Sequence, residues 1–151
     1  MKIENHFVVD ATCEKVWQAI NDPTLIARCI PGCESIEVTE QGKFRATISV
    51  RLGTVNARFN LVVEITEELP PHHQRSIMRG EEGTRASTLR AVNVLSLKAV
   101  NAHSTSVSFN SEVTITGRLG RFGLGVMRKK ADALGREFTE SFQEQVEMLS
   151  T

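Results

Sequence analysis

The last quarter of the chain, from about Gly120 to Leu149, carries the pattern that most constrains the fold. From Met127 onward, apolar side chains return every three or four residues, which is the period of an amphipathic α-helix. The residues that share this side of the predicted helix are Ala131, Leu134, Phe138, Phe142, Gln145 and Leu149. Such a helix is on the order of 40 Å long, at about 1.5 Å per residue, and therefore spans a small domain. We expect it to close over the rest of the chain.

The apolar side of this predicted helix is thin in its first half and bulky in its second. Gly120 and Ala131 are small, whereas Leu134, Phe138 and Phe142 are large. Small residues on a buried face allow another backbone to pack closely, or they leave a space for another molecule. The pattern alone leaves both interpretations open.

Basic residues crowd the start of the same helix, and acidic residues follow them. The basic positions are Arg118, Arg121, Arg128, Lys129 and Lys130. This order opposes the helix dipole, which favours acidic residues first, so local stability does not explain it. Contact with an anionic surface or partner is one explanation, and an exposed basic face that only meets water is the other.

Most of the remaining chain alternates between polar and apolar residues, which indicates half-buried β-strands. Residues 43–52 and 55–65 alternate most cleanly, with a turn at Gly53-Thr54 between them. The other predicted strands cover residues 2–9, 34–39, 74–80, 86–100 and 105–117. Two short helices are predicted after the first strand, one capped by Asp10 or Thr12 and one beginning at Asp22-Pro23.

This order of elements predicts an α+β protein with a helix-grip arrangement. About seven antiparallel strands would form a curved sheet around the long C-terminal helix, because a sheet with one apolar face must cover that face. A cavity can remain between the two layers. The chain contains no linker or repeat, so we expect a single domain over residues 1–151.

Composition excludes several function classes. The chain has 18 basic and 18 acidic residues, one Trp and no Tyr, so neither charge nor stacking platforms favour nucleic acid. It begins on a strand pattern without an apolar signal region, contains no apolar run of about 18 residues, and has an odd number of Cys. We therefore expect a cytoplasmic protein with reduced thiols.

No motif for catalysis or metal binding stands out. Cys29 and Cys33 are close in sequence, but no second pair of ligands completes a zinc site, and His72-His73 point to opposite faces of an extended chain. The run from Gly120 to Gly125 has the shape of a dinucleotide fingerprint but lies in the wrong structural context. No Gly-x-Ser-x-Gly sequence is present. We therefore predict no catalytic residue and no metal ligand.

Four stretches carry a resemblance to a known family. They are Asn21-Asp22-Pro23, Cys29-Ile30-Pro31-Gly32-Cys33-Glu34, Arg51-Leu52-Gly53-Thr54-Val55 with Phe59 beyond it, and Gly117-Arg118-Leu119-Gly120-Arg121-Phe122-Gly123. Together they resemble the CoxG-like family of carbon monoxide dehydrogenase proteins, within the START-like, SRPBCC superfamily. The resemblance covers nearly the whole chain.

The resemblance implies a helix-grip fold around a deep apolar cavity. It also implies a link to a molybdenum-containing carbon monoxide dehydrogenase or related hydroxylase, which the family is thought to recruit to the membrane while binding a quinone for the respiratory chain. Many members carry a C-terminal extension that helps membrane association, whereas this chain ends at Thr151. We therefore expect only peripheral contact with the inner membrane face.

We predict that a hydrophobic small molecule, a quinone or a lipid-like molecule, binds between the sheet and the long helix, with no tightly bound cofactor. Ligand pockets are mostly apolar with few polar groups. The predicted ligand-binding residues are Leu25, Ile30, Phe59, Leu61, Met78, Leu89, Ala91, Arg118, Phe122, Met127, Ala131, Leu134 and Phe138. Arg118 or Arg121 would donate a hydrogen bond to a quinone carbonyl or meet a lipid phosphate at the mouth, where the Cys29–Cys33 turn approaches the last helix.

Two other functions stay open at this point. One is an adaptor that docks or matures a molybdenum hydroxylase and fills its cavity with its own side chains. The other is a START-like cyclase or hydrolase.

Overall fold

The computed structural model of the protein describes residues 1–83 and 86–149. Within these residues the chain forms seven strands, three helices and one 3₁₀ turn. The strands are β1 (Lys2–Val9), β2 (Cys33–Glu40), β3 (Lys43–Leu52), β4 (Val55–Leu69), β5 (His73–Glu82), β6 (Ser87–Asn101) and β7 (Ser104–Gly117). The helices are α1 (Cys13–Ile20), α2 (Pro23–Cys29) and α3 (Leu124–Leu149), and the 3₁₀ turn covers Arg118–Phe122.

The strands form one antiparallel sheet in the order β1-β7-β6-β5-β4-β3-β2. Only β1 is out of sequence order, because α1 and α2 carry the chain from one edge of the sheet to the other. α3 lies against β1 and α2 and also touches β3. The predicted α+β helix-grip fold, with two short helices after the first strand, is confirmed.

The two short helices start at the residues that the sequence singles out. The hydroxyl of Thr12 accepts a hydrogen bond from the backbone N–H of Lys15 (3.3 Å). The carboxylate of Asp22 accepts from the backbone N–H groups of Thr24 (3.0 Å) and Leu25 (3.4 Å), and Pro23 follows it as the first helical residue. These bonds satisfy backbone donors that a helix start leaves without partners.

The long helix begins later than the sequence predicted. α3 starts at Leu124, whereas Gly120 belongs to the 3₁₀ turn. Gly117 and Gly123 bracket this turn with φ values of +92° and +84°, a region that side chains with a Cβ rarely adopt. The chain therefore turns sharply at both ends of the glycine-rich run, and Leu119 between them is fully buried at the end of the sheet.

The buried side of α3 also differs at its C-terminal end. Val146 is 1% exposed, whereas Leu149, which the periodicity placed on the buried side, is 71% exposed. The last turn of α3 borders an open cleft beside α1 and α2, so the helix has nothing to pack against on that side. The placement of Leu149 on the buried side was wrong for this reason.

The buried side chains form two separate hydrophobic clusters. The first cluster joins α1, α2 and the second half of α3 to β1, β6 and β7, and its buried members are Val9, Ala11, Cys13, Val16, Ala19, Leu25, Cys29, Leu95, Leu97, Val107, Phe142 and Val146. The second cluster lies on β3, β4 and the 3₁₀ turn, and its buried members are Ala46, Leu52, Ala57, Phe59, Leu61 and Leu119. Met78, Leu89 and Ile115 pack against the second cluster and are partly buried.

The turn between α2 and β2 requires a glycine at position 32. Gly32 has a φ of +78°, and a Cβ there would collide with the carbonyl oxygen of Ser49. We expect Gly32→Ala to lower the free energy of unfolding by about 2–4 kcal/mol, because backbone strain and the collision add together. Gly53→Ala is the matched control, since Gly53 also has a positive φ (+61°) but faces open space, and it should cost only about 1 kcal/mol.

Urea unfolding of both variants measures this difference. Equal losses for Gly32→Ala and Gly53→Ala would show that the contact with Ser49 does not constrain the turn.

Candidate functional site

The five strand residues predicted to contact a ligand lie on one side of the sheet. Directly paired residues of antiparallel strands point to the same side, and the register pairs Leu61 with Gly80 and Met78 with Ala91. Gly80 in turn pairs with Leu89, and Phe59 is two residues before Leu61. This is the side that faces α3, because the inward-pointing Asn5 and Phe7 of β1 both contact that helix.

The predicted helix residues divide between two regions. Leu25 of α2 is 4% exposed and belongs to the first cluster, and Phe138 packs against the same cluster, stacked on Phe142 with ring centroids 5.5 Å apart. Ile30 follows α2 and is partly buried. The remaining helix residues, Met127, Ala131 and Leu134, lie in the first half of α3. The side chain of Phe122 lies outside the described part of the structure.

The first half of α3 joins neither hydrophobic cluster. Among the described side chains, Phe138 is the first residue of this helix that packs with a cluster. Met127 is 7% exposed but is not part of the second cluster, and Ala131 and Leu134 remain partly exposed. Protein interiors are normally close-packed, so a helix half that points toward a sheet without joining its core marks a place where packing is incomplete.

We use the name inner site for the region between this half of α3 and the neighbouring sheet. It is defined by Met78, Leu89 and Ala91 on the sheet and by Met127, Ala131 and Leu134 on the helix. Met78 is on a central strand and faces α3, yet it remains partly exposed. Protein atoms therefore do not cover it completely.

A row of three polar side chains crosses the sheet at the border of the inner site. Ser111, Asn93 and Ser76 are paired in register on β7, β6 and β5. The hydroxyl of Ser111 donates to Oδ1 of Asn93 (2.7 Å), and Nδ2 of Asn93 donates to the hydroxyl of Ser76 (3.3 Å). Asn93 is 9% exposed and Ser111 is 6% exposed, so these bonds offset the cost of burying polar groups.

This polar row separates the two hydrophobic clusters. Along β6, Leu95 on one side of Asn93 belongs to the first cluster, and Leu89 on the other side packs against the second. A second polar contact, from Nδ2 of Asn5 to the hydroxyl of Thr139 (2.9 Å), joins β1 to α3. Polar residues therefore mark the middle of the face that α3 covers.

Arg118 is held by the protein itself. Its guanidinium donates to a carboxylate oxygen of Glu82 (3.2 Å), and Glu82 is 4% exposed. The next residue, Leu119, donates its backbone N–H to the buried hydroxyl of Ser87 (2.9 Å). Both contacts fix the 3₁₀ turn to the end of the sheet, which gives Arg118 a structural partner in addition to the ligand contact that the sequence predicted.

Two open clefts lie away from the inner site. The first, of about 280 Å³, lies between α1, α2 and the end of α3, and Leu25, Val146 and Leu149 are among its lining residues. The second, of about 410 Å³, is lined by residues of β4, β5 and β6, including Val62, Arg79 and Arg90. Of the predicted ligand-binding residues, Leu25 borders the first cleft and Leu89 borders the second.

The turn between α2 and β2 carries two free thiols. Burial raises the pKa of Cys29 above its ordinary value, against a smaller lowering effect of Arg28. Burial also raises the pKa of Cys33, whose thiol donates to the backbone carbonyl of Ser35 (3.7 Å). The neutral thiol is thus favoured in the folded protein, and this contribution to stability is present below the ordinary thiol pKa and lost as the pH rises through the raised value.

We expect both thiols to react slowly with iodoacetamide in the folded protein at pH about 8. Cys29, which is 1% exposed, should react at least about tenfold more slowly than in urea, because the thiolate is disfavoured and the chain must open first. Cys33 should react faster than Cys29. Mass spectrometry of alkylated peptides measures both rates, and equal rates in folded and unfolded protein would contradict this assignment.

Within residues 1–83 and 86–149, no three metal-ligating side chains come together. None of the helices in this part of the chain has an apolar stretch of the length needed to cross a bilayer.

Residues 6–147 match the family model of CoxG, a carbon monoxide dehydrogenase protein. The chain belongs to the CoxG family. No protein of curated function matches the chain significantly.

Several solved structures share the fold of this CoxG-family chain. A conserved protein from Geobacillus kaustophilus is 23% identical with a TM-score of 0.89, and the match covers 98% of this chain and 96% of that one. A START superfamily protein from Mycobacterium smegmatis is 12% identical with a TM-score of 0.76 and 98% coverage of both chains. The Zhui aromatase/cyclase from a Streptomyces strain is 13% identical with a TM-score of 0.74, covering 100% of this chain and 96% of that one. The fold is therefore START-like.

Sequence reasoning did not identify the polar row. Ser76, Asn93 and Ser111 lie on strands where polar residues occupy both faces, so alternation does not show which of them point inward. The signal that finds them is the register, which places all three opposite one another.

Proposed function

We propose that this CoxG-family protein is a non-enzymatic accessory protein that binds a quinone or a lipid-like molecule in the inner site. The observation that carries this proposal is the first half of α3, which faces the sheet without joining either cluster. An apolar guest would complete the packing that Ala131 and Leu134 leave unfinished. Met78 and Met127 suit such a guest, because their flexible side chains adapt to different shapes.

The energetics favour a ligand with a substantial apolar part. Burying apolar surface contributes about 25 cal/mol per Å², so about 300 Å² of ring and tail would contribute roughly 7 kcal/mol. Loss of translational and rotational freedom opposes this by about 4 kcal/mol or more. A small apolar fragment would therefore bind weakly, whereas a ring with an attached chain would bind well.

The family name ties the chain to carbon monoxide dehydrogenase. We propose that the protein links a molybdenum hydroxylase of this type to the respiratory chain, at the inner face of the membrane. The exposed Arg128 and Lys129 at the start of α3, where the structure has no acidic residue in the first turn, are suited to contact an anionic surface of the enzyme or the membrane.

An adaptor without a ligand is the second candidate. It is favoured by one observation: the two open clefts lie elsewhere, beside α1 and α2 and on β4 to β6. In that case the protein would dock the hydroxylase through its surface, and the inner site would close on itself.

Ligand extraction tests the proposal. The protein is purified without detergent, extracted with organic solvent and analysed by mass spectrometry, and the emptied protein is titrated calorimetrically with menadione, a methylated naphthoquinone. We expect a quinone or lipid in the extract and saturable menadione binding. An empty extract together with no heat of binding would favour the adaptor, and chemical conversion of an added ligand would instead indicate an enzyme.

A further inference from the structure

The hydrogen bonds of the polar row run in one direction. Ser111 donates to Asn93, and Asn93 donates to Ser76. The hydroxyl of Ser76 accepts at the end of this chain, and within the described residues nothing accepts its proton. A hydroxyl that accepts a bond from a polarised chain becomes a better donor. Ser76 is therefore the donor end of the row.

Ser76 is also the member of the row that remains partly exposed. Asn93 and Ser111 are more than nine-tenths buried, whereas Ser76 keeps accessible surface on the α3 side of a central strand. It lies two residues before Met78, on the same side of β5, at the edge of the inner site. A ligand in the inner site would thus meet the Ser76 hydroxyl before either of its partners.

We infer that Ser76 donates a hydrogen bond to an acceptor oxygen of the ligand, with Asn93 and Ser111 as positioning residues behind it. This inference rests on the proposed function. It specifies the ligand class further, as an apolar ring that carries a carbonyl or similar acceptor oxygen directed at the centre of the sheet. It also places the polar head away from Arg118, whose guanidinium is held by Glu82 at the end of the sheet.

The row explains why polar residues occupy the middle of an otherwise apolar face. Three apolar residues in register would join the two clusters into one core without any cost of burying polar groups. The row gives up that packing, and in return it offers one oriented donor inside a site of low dielectric, where a hydrogen bond is stronger than in water.

Two probes with the same ring system test the inference. Menadione has two carbonyl oxygens, and methylnaphthalene has none. Calorimetric titrations are made with the unsubstituted protein, Ser76→Ala, Ser76→Thr and Ser96→Ala. Ser96 is the control, because it is exposed on the opposite face of β6. Thermal unfolding of each variant confirms that it is folded.

We expect Ser76→Ala to weaken menadione binding about fivefold to tenfold, the range for loss of one hydrogen bond, and to leave methylnaphthalene binding unchanged. Ser76→Thr keeps the hydroxyl and should restore most of the affinity, and Ser96→Ala should bind both probes normally. The infrared carbonyl band of bound menadione should lie at lower frequency in the unsubstituted protein than in Ser76→Ala.

Three results would overturn the inference, and they differ in what they say about the proposed function. Equal binding of both probes to all four proteins would leave the inner site as a ligand site and remove Ser76 from recognition. Equal weakening of both probes by Ser76→Ala would show that the row only supports the fold. Failure of both probes to bind the unsubstituted protein would contradict the proposed function itself.

Discussion

Replacing Ala131 with Phe is expected to abolish menadione binding while leaving the protein folded and about as stable as before. Ala131 lies in the half of α3 that joins neither cluster, so a phenyl ring at this position would occupy the space proposed for the ligand. If that space were already filled by protein atoms, the same ring would overpack the core and cost about 1–3 kcal/mol of stability. Affinity and stability together therefore distinguish an empty site from a filled one.

The matched control for this variant is Val126→Phe. Val126 lies on the same helix and is 48% exposed, so it adds a ring of the same size toward solvent. We expect normal menadione binding and a change in unfolding free energy below about 0.5 kcal/mol. Calorimetry and thermal unfolding measure both variants. An Ala131→Phe protein that binds menadione with unchanged affinity would show that the ligand site has been placed wrongly.

The second large effect is expected at Phe142, which anchors α3 to the sheet. Phe142 is fully buried, meets Phe7 of β1 edge to face with ring centroids 6.1 Å apart, and stacks on Phe138. Phe142→Ala should lower the free energy of unfolding by about 3–5 kcal/mol, because the cavity and the loss of aromatic contacts add together. Urea unfolding followed by circular dichroism measures the loss.

Leu149→Ala is the control for this measurement. Leu149 is on the same helix but is 71% exposed, so its truncation should change stability by less than about 0.5 kcal/mol. Phe142→Leu should lose less than Phe142→Ala, since Leu fills part of the volume. A loss below about 1 kcal/mol for Phe142→Ala would mean that the second half of α3 does not hold the sheet.

Phe142 and Ala131 represent two different roles of α3. The second half of the helix supplies the packing that holds the fold, and the first half supplies a wall that a ligand can complete. Stability should therefore respond to changes after Phe138, and ligand affinity should respond to changes before it.

Much of the fold was predictable because its signals are local. The strands at residues 43–52 and 55–65 alternate polar and apolar residues without interruption, and β3 matches the predicted bounds. Thr12 and Asp22 cap helices because their side chains reach backbone groups two or three residues away. Such patterns need no knowledge of distant contacts, so the sequence specifies them well.

Features that depend on distant residues were not predictable. Arg118 is paired with Glu82, 36 residues away, and nothing near Arg118 in sequence indicates that partner. The polar row depends on the register of β5, β6 and β7, which alternation does not determine when both faces carry polar residues. The 3₁₀ turn before α3 has the same glycines as a loosely packed helix start, and only the backbone angles of Gly117 and Gly123 distinguish the two.

The most direct test of ligand binding in the inner site is a methyl NMR titration of the protein with menadione. We expect saturable shifts at the methyl groups of Met78, Met127 and Leu134, which define the inner site, and little change at Leu95 and Leu97 in the first cluster. Shifts confined to Leu25 and Leu149 beside α1, or no shifts at saturating menadione, would contradict the claim that a ligand lies between the first half of α3 and the sheet.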